Sequence, residues 1–238
     1  MYSTTIDGSI FHQFVSAVSD LANDAVVTFS DTIFINAADT ANVSLVNAFI
    51  PNPNPPQDAI SVTTTVSAIK QFPISKEDVI ISVLDNRISI IAGRADFSLP
   101  FITDPHIKAR QLPPYEPYVT LLVNGDAFRT GLNAVLTPFE KADTGASVWF
   151  EFDDTLTLQD HGRVLCKVRY DQTDYTIVRH DQSSKALFSK DYLDIYLKHL
   201  KKFDEIKICM KTNGPMILSA ETPLISIAYA IMPRVEKS

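Results

Sequence analysis

A pattern of four residues near the start of the chain recurs in its second half. The matched residues are Gly8 and Gly125, Phe11 and Phe128, Ala17 and Ala134, and Val18 and Val135. All four pairs are offset by 117 residues in a chain of 238. A repeat of this kind indicates one structural unit that occurs twice, related by pseudo-symmetry. The sequence therefore predicts two similar domains, and this constrains the fold more than any single residue does.

Composition allows a hydrophobic core in each half. Hydrophobic residues make up 45% of the sequence and charged residues 21%, as in ordinary globular proteins. The net charge of −7 argues against nucleic-acid binding, which depends on Lys and Arg. However, residues 1–120 contain 6 Lys and Arg against 12 Asp and Glu, whereas residues 121–238 contain 15 against 16. The second half is therefore nearly balanced, which weakens that argument.

Each half is predicted to run helix, strands, helix, strands. In the first half, after a short strand, helices are predicted over 9–21 and 62–72, although the threonines in the second are poor helix formers. The predicted strands of that half are 25–29, 33–37, 43–50, 79–84, 87–92 and 95–101. The second half has predicted helices over 126–139 and 189–202, and strands over 147–152, 156–158, 164–170, 175–179, 206–210, 216–219 and 224–231.

A proline-rich segment, residues 104–118, lies between the copies. It carries Pro105, Pro113, Pro114 and Pro117. Proline fixes φ and removes a backbone donor, so the segment is expected to cross the surface as an extended connector. Both a simple linker and a partner-binding surface fit this pattern.

The sequence offers no arrangement typical of catalysis. It lacks a Gly-rich phosphate loop, a His-Glu-x-x-His motif and paired Cys-x-x-Cys motifs. Asp160-His161 and His180-Asp181 fall at predicted turns, where polar pairs are common, and a solvated turn explains Asp153-Asp154. Cys166 and Cys209 are interpreted as reduced packing residues. We therefore predict a binding protein that is not an enzyme and has no cofactor or metal site.

No targeting or membrane signal is recognised. The first residues contain no charged segment followed by an apolar stretch, and no run approaches the roughly 20 apolar residues that span a bilayer. We expect a soluble intracellular protein without a membrane partner. It would be cytoplasmic or nucleoid-associated, or nuclear if its source is eukaryotic.

The last predicted helix combines an apolar stripe with a cluster of cations. The stripe consists of Tyr192, Leu193, Tyr196, Leu197 and Leu200, and the cations are Lys198, His199, Lys201 and Lys202. Such a helix can pack its apolar side on a sheet and present the cations to nucleic acid. An ordinary solvated helix face gives the same pattern.

Four short segments carry a resemblance to a known family. They are Met-Pro-Arg-Val-Glu at 232–236, Asp-Thr-Ala-Asn-Val-Ser-Leu-Val at 39–46, Gly-Asp-Ala-Phe-Arg at 125–129 and Tyr-Leu-Asp-Ile-Tyr-Leu-Lys at 192–198. In this order and spacing, the chain resembles the PCNA-type DNA polymerase sliding clamps of archaea and eukaryotes over its whole length.

The resemblance implies an α+β protein with the DNA clamp fold. Two similar helix-and-sheet domains would occupy residues 1–105 and 119–238, joined by an interdomain connector at 106–118. A homotrimeric ring would place the helices around its hole and the antiparallel sheets outside. The implied subunit interface joins Ala95, Phe97, Leu99 and Phe101 of one subunit to Val164, Cys166, Val168 and Tyr170 of the next. This pairing would cover an otherwise open sheet edge.

The same resemblance implies a processivity factor that encircles duplex DNA without reading its sequence. The implied DNA-facing residues are Lys198, Lys201, Lys202, Arg129, Lys70, Lys141 and His12. The chain departs from the family in its first helix, where Gln13 and Ser19 occupy positions that often hold lysine. The hole is therefore expected to be less positive than in other members.

Replication and repair enzymes are the implied protein partners. DNA polymerase, the clamp loader, ligase and nuclease would insert a short motif with one aliphatic and two aromatic anchors into an apolar pocket. Its implied lining is Val43, Leu45, Leu112, Pro114, Tyr118, Pro215, Ala230, Met232 and Pro233.

Three other interpretations stay open at this stage. The chain could be a clamp subunit that does not self-associate and belongs to a hetero-ring or a checkpoint-like clamp. It could be a monomeric viral processivity factor. An unrelated enzyme with a duplicated fold is disfavoured, because no catalytic constellation is recognised in the sequence.

Overall fold

The structure is a computed structural model that describes residues 1–72, 77–104, 106–110, 115–137, 146–161 and 166–235. The chain divides into two compact units. Unit 1 comprises Met1–Gln111 and Glu221–Ile227, and unit 2 comprises Leu112–Ala220 and Ala228–Ser238. Each unit combines helices with antiparallel sheets, which is the α+β class expected from the sequence.

Unit 1 contains two sheets and two helices among its described residues. Its elements are β1 (Tyr2–Ile6), α1 (Gly8–Ser19), β2 (Asp24–Phe29), β3 (Thr32–Ala38), β4 (Ser44–Pro51), β5 (Ile60–Thr65), α2 (Val66–Gln71), β6 (Val79–Val83), β7 (Arg87–Ala92) and β8 (Ala95–Pro100). The first sheet has the order β1-β6-β7-β8, and the second contains β5-β2-β3-β4.

Unit 2 repeats this arrangement. Its elements are β9 (Val119–Asn124), α3 (Gly125–Leu136), β10 (Ser147–Phe152), β11 (Leu156–His161), β12 (Lys167–Arg169), β13 (Tyr175–His180), β14 (Ser184–Ser189), α4 (Lys190–Leu200), β15 (Glu205–Met210), β16 (Met216–Thr222) and β17 (Ile225–Ile231), except that the end of β16 and the start of β17 fall within the Glu221–Ile227 segment of unit 1. The order β9-β15-β16-β17 matches the first sheet of unit 1, and β14-β10-β11-β12 matches the second. The duplicated sequence is thus a duplicated strand order.

The repeat extends to the ends of the helices. Both bounds of α1 and α3 differ by the 117 residues that separate the sequence copies. Asp7 precedes α1, and its side chain accepts hydrogen bonds from the amides two and three residues further on. Asn124 makes the same two bonds at the start of α3. These caps satisfy amides that have no partner within the helix, so each copy encodes its own helix start.

The apolar side of each long helix is buried in its own unit. In unit 1, Phe14 and Val18 of α1 have no exposed surface. In unit 2, Leu132 of α3 and Leu193 of α4 are equally buried. Since the sheets contribute alternating buried residues, each unit has a core between its helices and its strands.

The predicted helix over 62–72 is wrong in its first part. Residues up to Thr65 form β5, which pairs antiparallel with β2, and only Val66–Gln71 are helical. The β-branched threonines favour the extended backbone, and a neighbouring strand is present to receive them.

Unit 2 shows further differences from the predicted elements. The strand β14, which pairs with β10, was not predicted at all. The helix predicted to reach residue 139 ends at Leu136, and β12 covers only Lys167–Arg169 of the predicted strand 164–170. Residues 138–145 and 162–165, where parts of these predictions fall, lie outside the described residues.

The equivalent strands β1 and β9 are covered at their sheet edges by different structures in the two units. In unit 2, β13 pairs along β9. In unit 1 the loop after β4 lies against β1, the counterpart of β9. Asn54 donates to the carbonyl of Ser3 at 2.6 Å, and the buried Asn52 accepts hydrogen bonds from the hydroxyls of Tyr2 and Thr4, both at 2.9 Å. A proline-rich loop thus covers part of an edge that a strand covers in the other unit.

Candidate functional site

The helix α4 has one buried and one charged face, as its sequence predicts. Leu193, Tyr196 and Leu200 are buried, and the ring of Tyr196 stacks on Tyr229 with centroids 4.3 Å apart. The helix thereby holds its opposite face at a fixed orientation.

The charged face presents lysines near the C-terminal end of α4. Lys198 is exposed, and Lys201 and Lys202 follow as exposed residues just after the last helical turn. Acidic residues lie towards the start of the helix, where Asp194 approaches Lys190 at 3.8 Å. Burial raises the pKa of the Asp194 carboxyl. The exposed lysines therefore lie at the C-terminal end of the helix, where their positive charge interacts favourably with the negative end of the helix dipole.

The guanidinium group of Arg129 makes hydrogen bonds and an ion pair within unit 2. Its guanidinium donates to the carbonyl oxygens of Lys201 and Phe203, the latter at 3.4 Å, and forms an ion pair with Asp126. These bonds satisfy carbonyl groups at the end of α4 and tie that end to α3. Arg129 thus places the lysines that follow α4, in addition to its predicted contact with DNA.

The remaining predicted DNA-facing residues differ in their surroundings. Lys70 lies in the last turn of the short helix α2 and forms an ion pair with Asp20, so part of its charge is compensated. His12 is exposed on α1, a helix whose sequence contains no Lys or Arg. Lys141 lies outside the described residues. The described helices of unit 1 therefore contribute Lys70 and His12 to the predicted DNA-facing set, whereas Lys198, Lys201 and Lys202 all lie on or just after α4 of unit 2.

The residues predicted for the partner pocket are distributed over both units. In unit 1, Val43 and Leu45 are half-buried at the start of β4. In unit 2, Tyr118, Pro215 and Pro233 are half-buried, Ala230 is buried and Met232 is 50% exposed. Leu112 and Pro114 lie outside the described residues.

Unit 2 holds the C-terminal part of the connector by side-chain contacts that the sequence did not reveal. The hydroxyl of Tyr115 donates to the carbonyl of Pro215 at 2.6 Å, and burial raises the pKa of this hydroxyl. The ammonium group of Lys211 lies 4.9 Å from the centre of the Tyr118 ring. These contacts set the position of two residues predicted for the pocket.

Unit 1 holds the N-terminal part of the connector through Asn36. Asn36 is buried, with 2% of its surface exposed. It donates to the carbonyl of Arg110 at 2.7 Å and accepts from the amide of Arg110 at 2.5 Å. The partners are 74 residues apart in sequence, so no local motif pointed to this contact.

The predicted subunit interface falls on two terminal strands. Among the described residues, β8 pairs only with β7 at the end of its sheet, and β12 pairs only with β11. On the first strand Ala95, Phe97 and Leu99 are half-buried, as is Phe101 just beyond it. On the second, Cys166 and Val168 are half-buried, whereas Val164 lies outside the described residues. Both strands therefore carry backbone groups available for pairing.

Tyr170 packs inside its own unit. The residue is 3% exposed, and its hydroxyl donates to the carbonyl of Phe128 on α3 at 3.4 Å. A side chain at position 131 would collide with this ring, which explains the glycine at that place in a helix. Tyr170 thus fixes α3 against the end of β12.

The described residues show no metal-binding cluster of three or more His, Cys, Asp and Glu side chains. His161 and His180 instead contact aromatic rings: His161 lies edge-on to Trp149 and His180 edge-on to Phe152. Within the described chain, no helix has both the length and the apolar character needed to cross a bilayer.

Comparison with known proteins extends over the full chain. No family model matches the sequence. The DNA polymerase sliding clamp of Methanocella arvoryzae is 24% identical, with 99% of each chain covered.

Solved structures are similar over the same extent. The PCNA of A. fulgidus, solved with the C-terminal region of FEN-1 bound, has a TM-score of 0.87 and 20% identity, with 100% of both chains covered. The PCNA of Thermococcus kodakaraensis has a TM-score of 0.80 and 17% identity, covering 98% of this chain and 100% of that one. A chain of the PCNA2–PCNA3 complex of Sulfolobus tokodaii has a TM-score of 0.81 and 15% identity, covering 99% and 100%.

These likenesses first define a class. The chain is an α+β protein with the DNA clamp fold, made of two similar helix-and-sheet units. Within that class, the resemblance to PCNA-type sliding clamps that the sequence motifs indicated is confirmed, since the sequence relative is a DNA polymerase sliding clamp and the similar structures are PCNA structures.

Proposed function

We propose that the chain is a sliding clamp that encircles duplex DNA and holds DNA polymerase and other replication and repair enzymes on it. One observation carries the proposal: the clamp fold covers the whole chain, from β1 to β17, with a curated sliding clamp as a full-length sequence relative. A ring linked topologically to DNA needs no catalytic group. It also needs no sequence-specific contact, which would stop it from sliding.

Ring closure is proposed to use the terminal strands β8 and β12. Each has one edge without a partner among the described strands, and both carry half-buried apolar side chains. If β8 of one subunit pairs with β12 of the next, the same contact repeats head to tail and closes at the right rotation. Asp96 of β8 and the cations Lys167 and Arg169 of β12 are exposed and of opposite charge, which favours this pairing. The proposed assembly is a homotrimer.

The hole of the proposed ring would receive DNA mainly on unit 2. Lys198, Lys201 and Lys202 would contact phosphates, whereas α1 supplies only His12. The ammonium group of an exposed lysine, at the end of a long side chain, makes phosphate contacts that exchange rapidly and weaken as the salt concentration rises. Such contacts orient a duplex without holding it, as sliding requires.

Partner enzymes are proposed to dock through a short peptide motif. Val43, Leu45, Tyr118, Ala230, Met232 and Pro233 are the described residues predicted to receive its aliphatic and aromatic anchors. The A. fulgidus PCNA structure contains such a partner segment, the C-terminal region of FEN-1. DNA polymerase, the clamp loader, ligase and nuclease are the partner classes proposed for this chain, within an intracellular setting.

Native mass across a dilution series tests the assembly. A stable species of about three subunit masses at micromolar concentration supports the homotrimer. A monomer at every concentration would contradict it and favour the second candidate, a subunit of a hetero-ring. The absence of Lys and Arg from α1 is the observation behind that candidate, because other subunits would then have to supply the missing charge.

Retention on circular DNA tests the encircling function. Once the clamp loader has acted, the protein should stay on a nicked circle in high salt and leave when the circle is cut. Loss from circle and linear DNA at the same rate would contradict topological binding.

A further inference from the structure

Unit 1 contains a cavity of about 260 Å³ outside the predicted sites, lined by both polar and apolar residues. Its walls come from the start of β2, the end of β3, the turn at 39–42 and connector residues 106–110. Pockets for drug-sized ligands measure roughly 300–1,000 Å³, so this cavity suits one or two side chains of a peptide.

The connector wall of the cavity has a fixed position. The two hydrogen bonds between Asn36 and Arg110 hold the main chain, and Asn36 also donates to the side chain of Asn47 at 2.5 Å. Because Asn36 is buried, loss of these bonds would leave its amide group without partners. The hydrogen bonds of Asn36 therefore fix the shape of the cavity on its connector side.

The turn that forms the opposite wall is equally constrained. The carboxylate of Asp39 accepts hydrogen bonds from the amides of Ala41, Val43 and Ser44, at 3.1, 2.8 and 2.7 Å. Asn42 adopts a left-handed backbone with φ of 55°. Backbone donors thus satisfy oxygens of the Asp39 carboxylate, so this acid holds the turn in its conformation.

The connector side of the rim carries two basic side chains. Lys108 and Arg110 are both exposed, and neither side chain forms an ion pair among the described residues. His106 is exposed beside them, whereas the opposing acid on the rim is the half-buried Asp24. The connector side of the cavity thus presents uncompensated positive charge to an incoming chain.

We propose that this cavity binds acidic residues of partner peptides, at positions that flank their apolar anchor motif. The inference rests on the proposed function. It adds a second recognition element, because the cavity residue Asn42 directly precedes Val43, where the anchor motif is proposed to dock. Partners with Asp or Glu in the flank gain charge-assisted hydrogen bonds from Lys108 and Arg110.

The test compares two synthetic peptides with the same anchor motif. One carries three glutamates in the flank and the other three glutamines, each built with the flank before or after the motif. Binding to the full-length protein is measured by fluorescence anisotropy at 50 and 300 mM salt. In at least one placement the acidic peptide should bind about fivefold more tightly at low salt, and most of this advantage should disappear at high salt.

Paired variants assign the effect to the cavity. Lys108→Glu combined with Arg110→Glu should remove the advantage of the acidic peptide and leave the neutral peptide unchanged. Asp24→Asn should increase the advantage, since it removes the opposing acid on the rim. Both variants change exposed or half-buried side chains and leave the Asn36 contact, which uses the main chain of Arg110, intact.

The two proposals fail in different ways. If the acidic and neutral peptides bind the wild-type protein equally in both placements, the acidic-flank inference is overturned and the anchor pocket survives. If neither peptide binds, the docking part of the proposed function fails, and the inference fails with it. An acidic advantage that persists in the doubly reversed variant would also overturn the inference.

Discussion

The side chain of Asn36 forms two hydrogen bonds with the main chain of Arg110, donating to its carbonyl oxygen and accepting from its amide. The amide group of one buried side chain thus satisfies both backbone groups of a connector residue, as a neighbouring strand would. This contact fixes the first part of the connector on the second sheet of unit 1.

Asn36→Ala should loosen this part of the connector. The variant removes the hydrogen-bond partner of the amide and the carbonyl of Arg110, and each lost hydrogen bond costs about 0.5–1.5 kcal/mol. Hydrogen exchange measured by mass spectrometry should become faster at residues 106–110. Asn47→Ala is the matched control, because it removes the Asn36–Asn47 bond and keeps the contact with Arg110. Equal acceleration of the connector in both variants would contradict this role of Asn36.

Charge reversal at Lys198 and Lys202 should weaken DNA binding without affecting assembly. Each exposed phosphate contact contributes modestly, so the double change to Glu is expected to reduce affinity for duplex DNA at least tenfold at low salt. The salt dependence of binding should also become less steep. Lys207→Glu is the control, because Lys207 alternates on β15 with the buried Ile206 and Ile208 and so faces away from the core. A variant pair with unchanged DNA affinity would remove these lysines from the site.

Val168→Asp should prevent self-association. The side chain is half-buried on β12, the strand proposed to pair with β8 of the next subunit, and an uncompensated carboxylate there would be desolvated. Light scattering should show a folded monomer. Val178→Asp places the same charge on β13, another terminal strand of unit 2 where the valine is 57% exposed, and should leave the oligomer intact. If Val178→Asp were monomeric and Val168→Asp still formed the oligomer, the subunit interface would be assigned to β13 instead of β12.

The caps of α1 and α3 should respond differently to acid. Hydrogen bonds from the Ser9 hydroxyl and from backbone amides lower the pKa of the Asp7 carboxyl. Because the folded pKa is below the unfolded value of about 3.9, this stabilisation is present above the unfolded pKa and is lost as the pH falls through the folded pKa.

Asp7→Asn should retain a cap and lose that dependence. The difference in unfolding free energy between wild type and variant, measured with urea from pH 5 to pH 3, should therefore shrink as the pH falls. Asn124→Asp is the reciprocal variant, and it should introduce a pH dependence at α3. Parallel curves for Asp7→Asn and wild type would show that the Asp7 charge does not contribute.

The sequence was sufficient for features that depend on neighbours along the chain. Helix periodicity predicted α1, α3 and α4, and the offset between Gly8 and Gly125 predicted the duplicated unit. The threonines of β5 were misassigned because their backbone depends on pairing with β2, which lies more than thirty residues away. Propensity alone cannot rank that pairing against a helix.

The candidate site divides in the same way. The exposed lysines after α4 follow from helical spacing, whereas the partners of Arg129 and Lys70 come from other elements. The cavity beside the connector was not predicted at all. Its walls join residues near positions 24, 39 and 108, and no single segment of the sequence contains them.

The loop that carries Asn52 and Asn54 has a consequence for solubility. Its prolines and asparagines occupy an edge of unit 1 where a stray strand from another molecule could otherwise add, and β13 shields the equivalent edge of unit 2. Among the described residues, no strand pairs with the outer edge of β8 or of β12. Subunits that dissociate from the proposed ring should therefore expose these two edges and aggregate through them. The stability of the ring against dissociation would then determine how long the protein remains in solution.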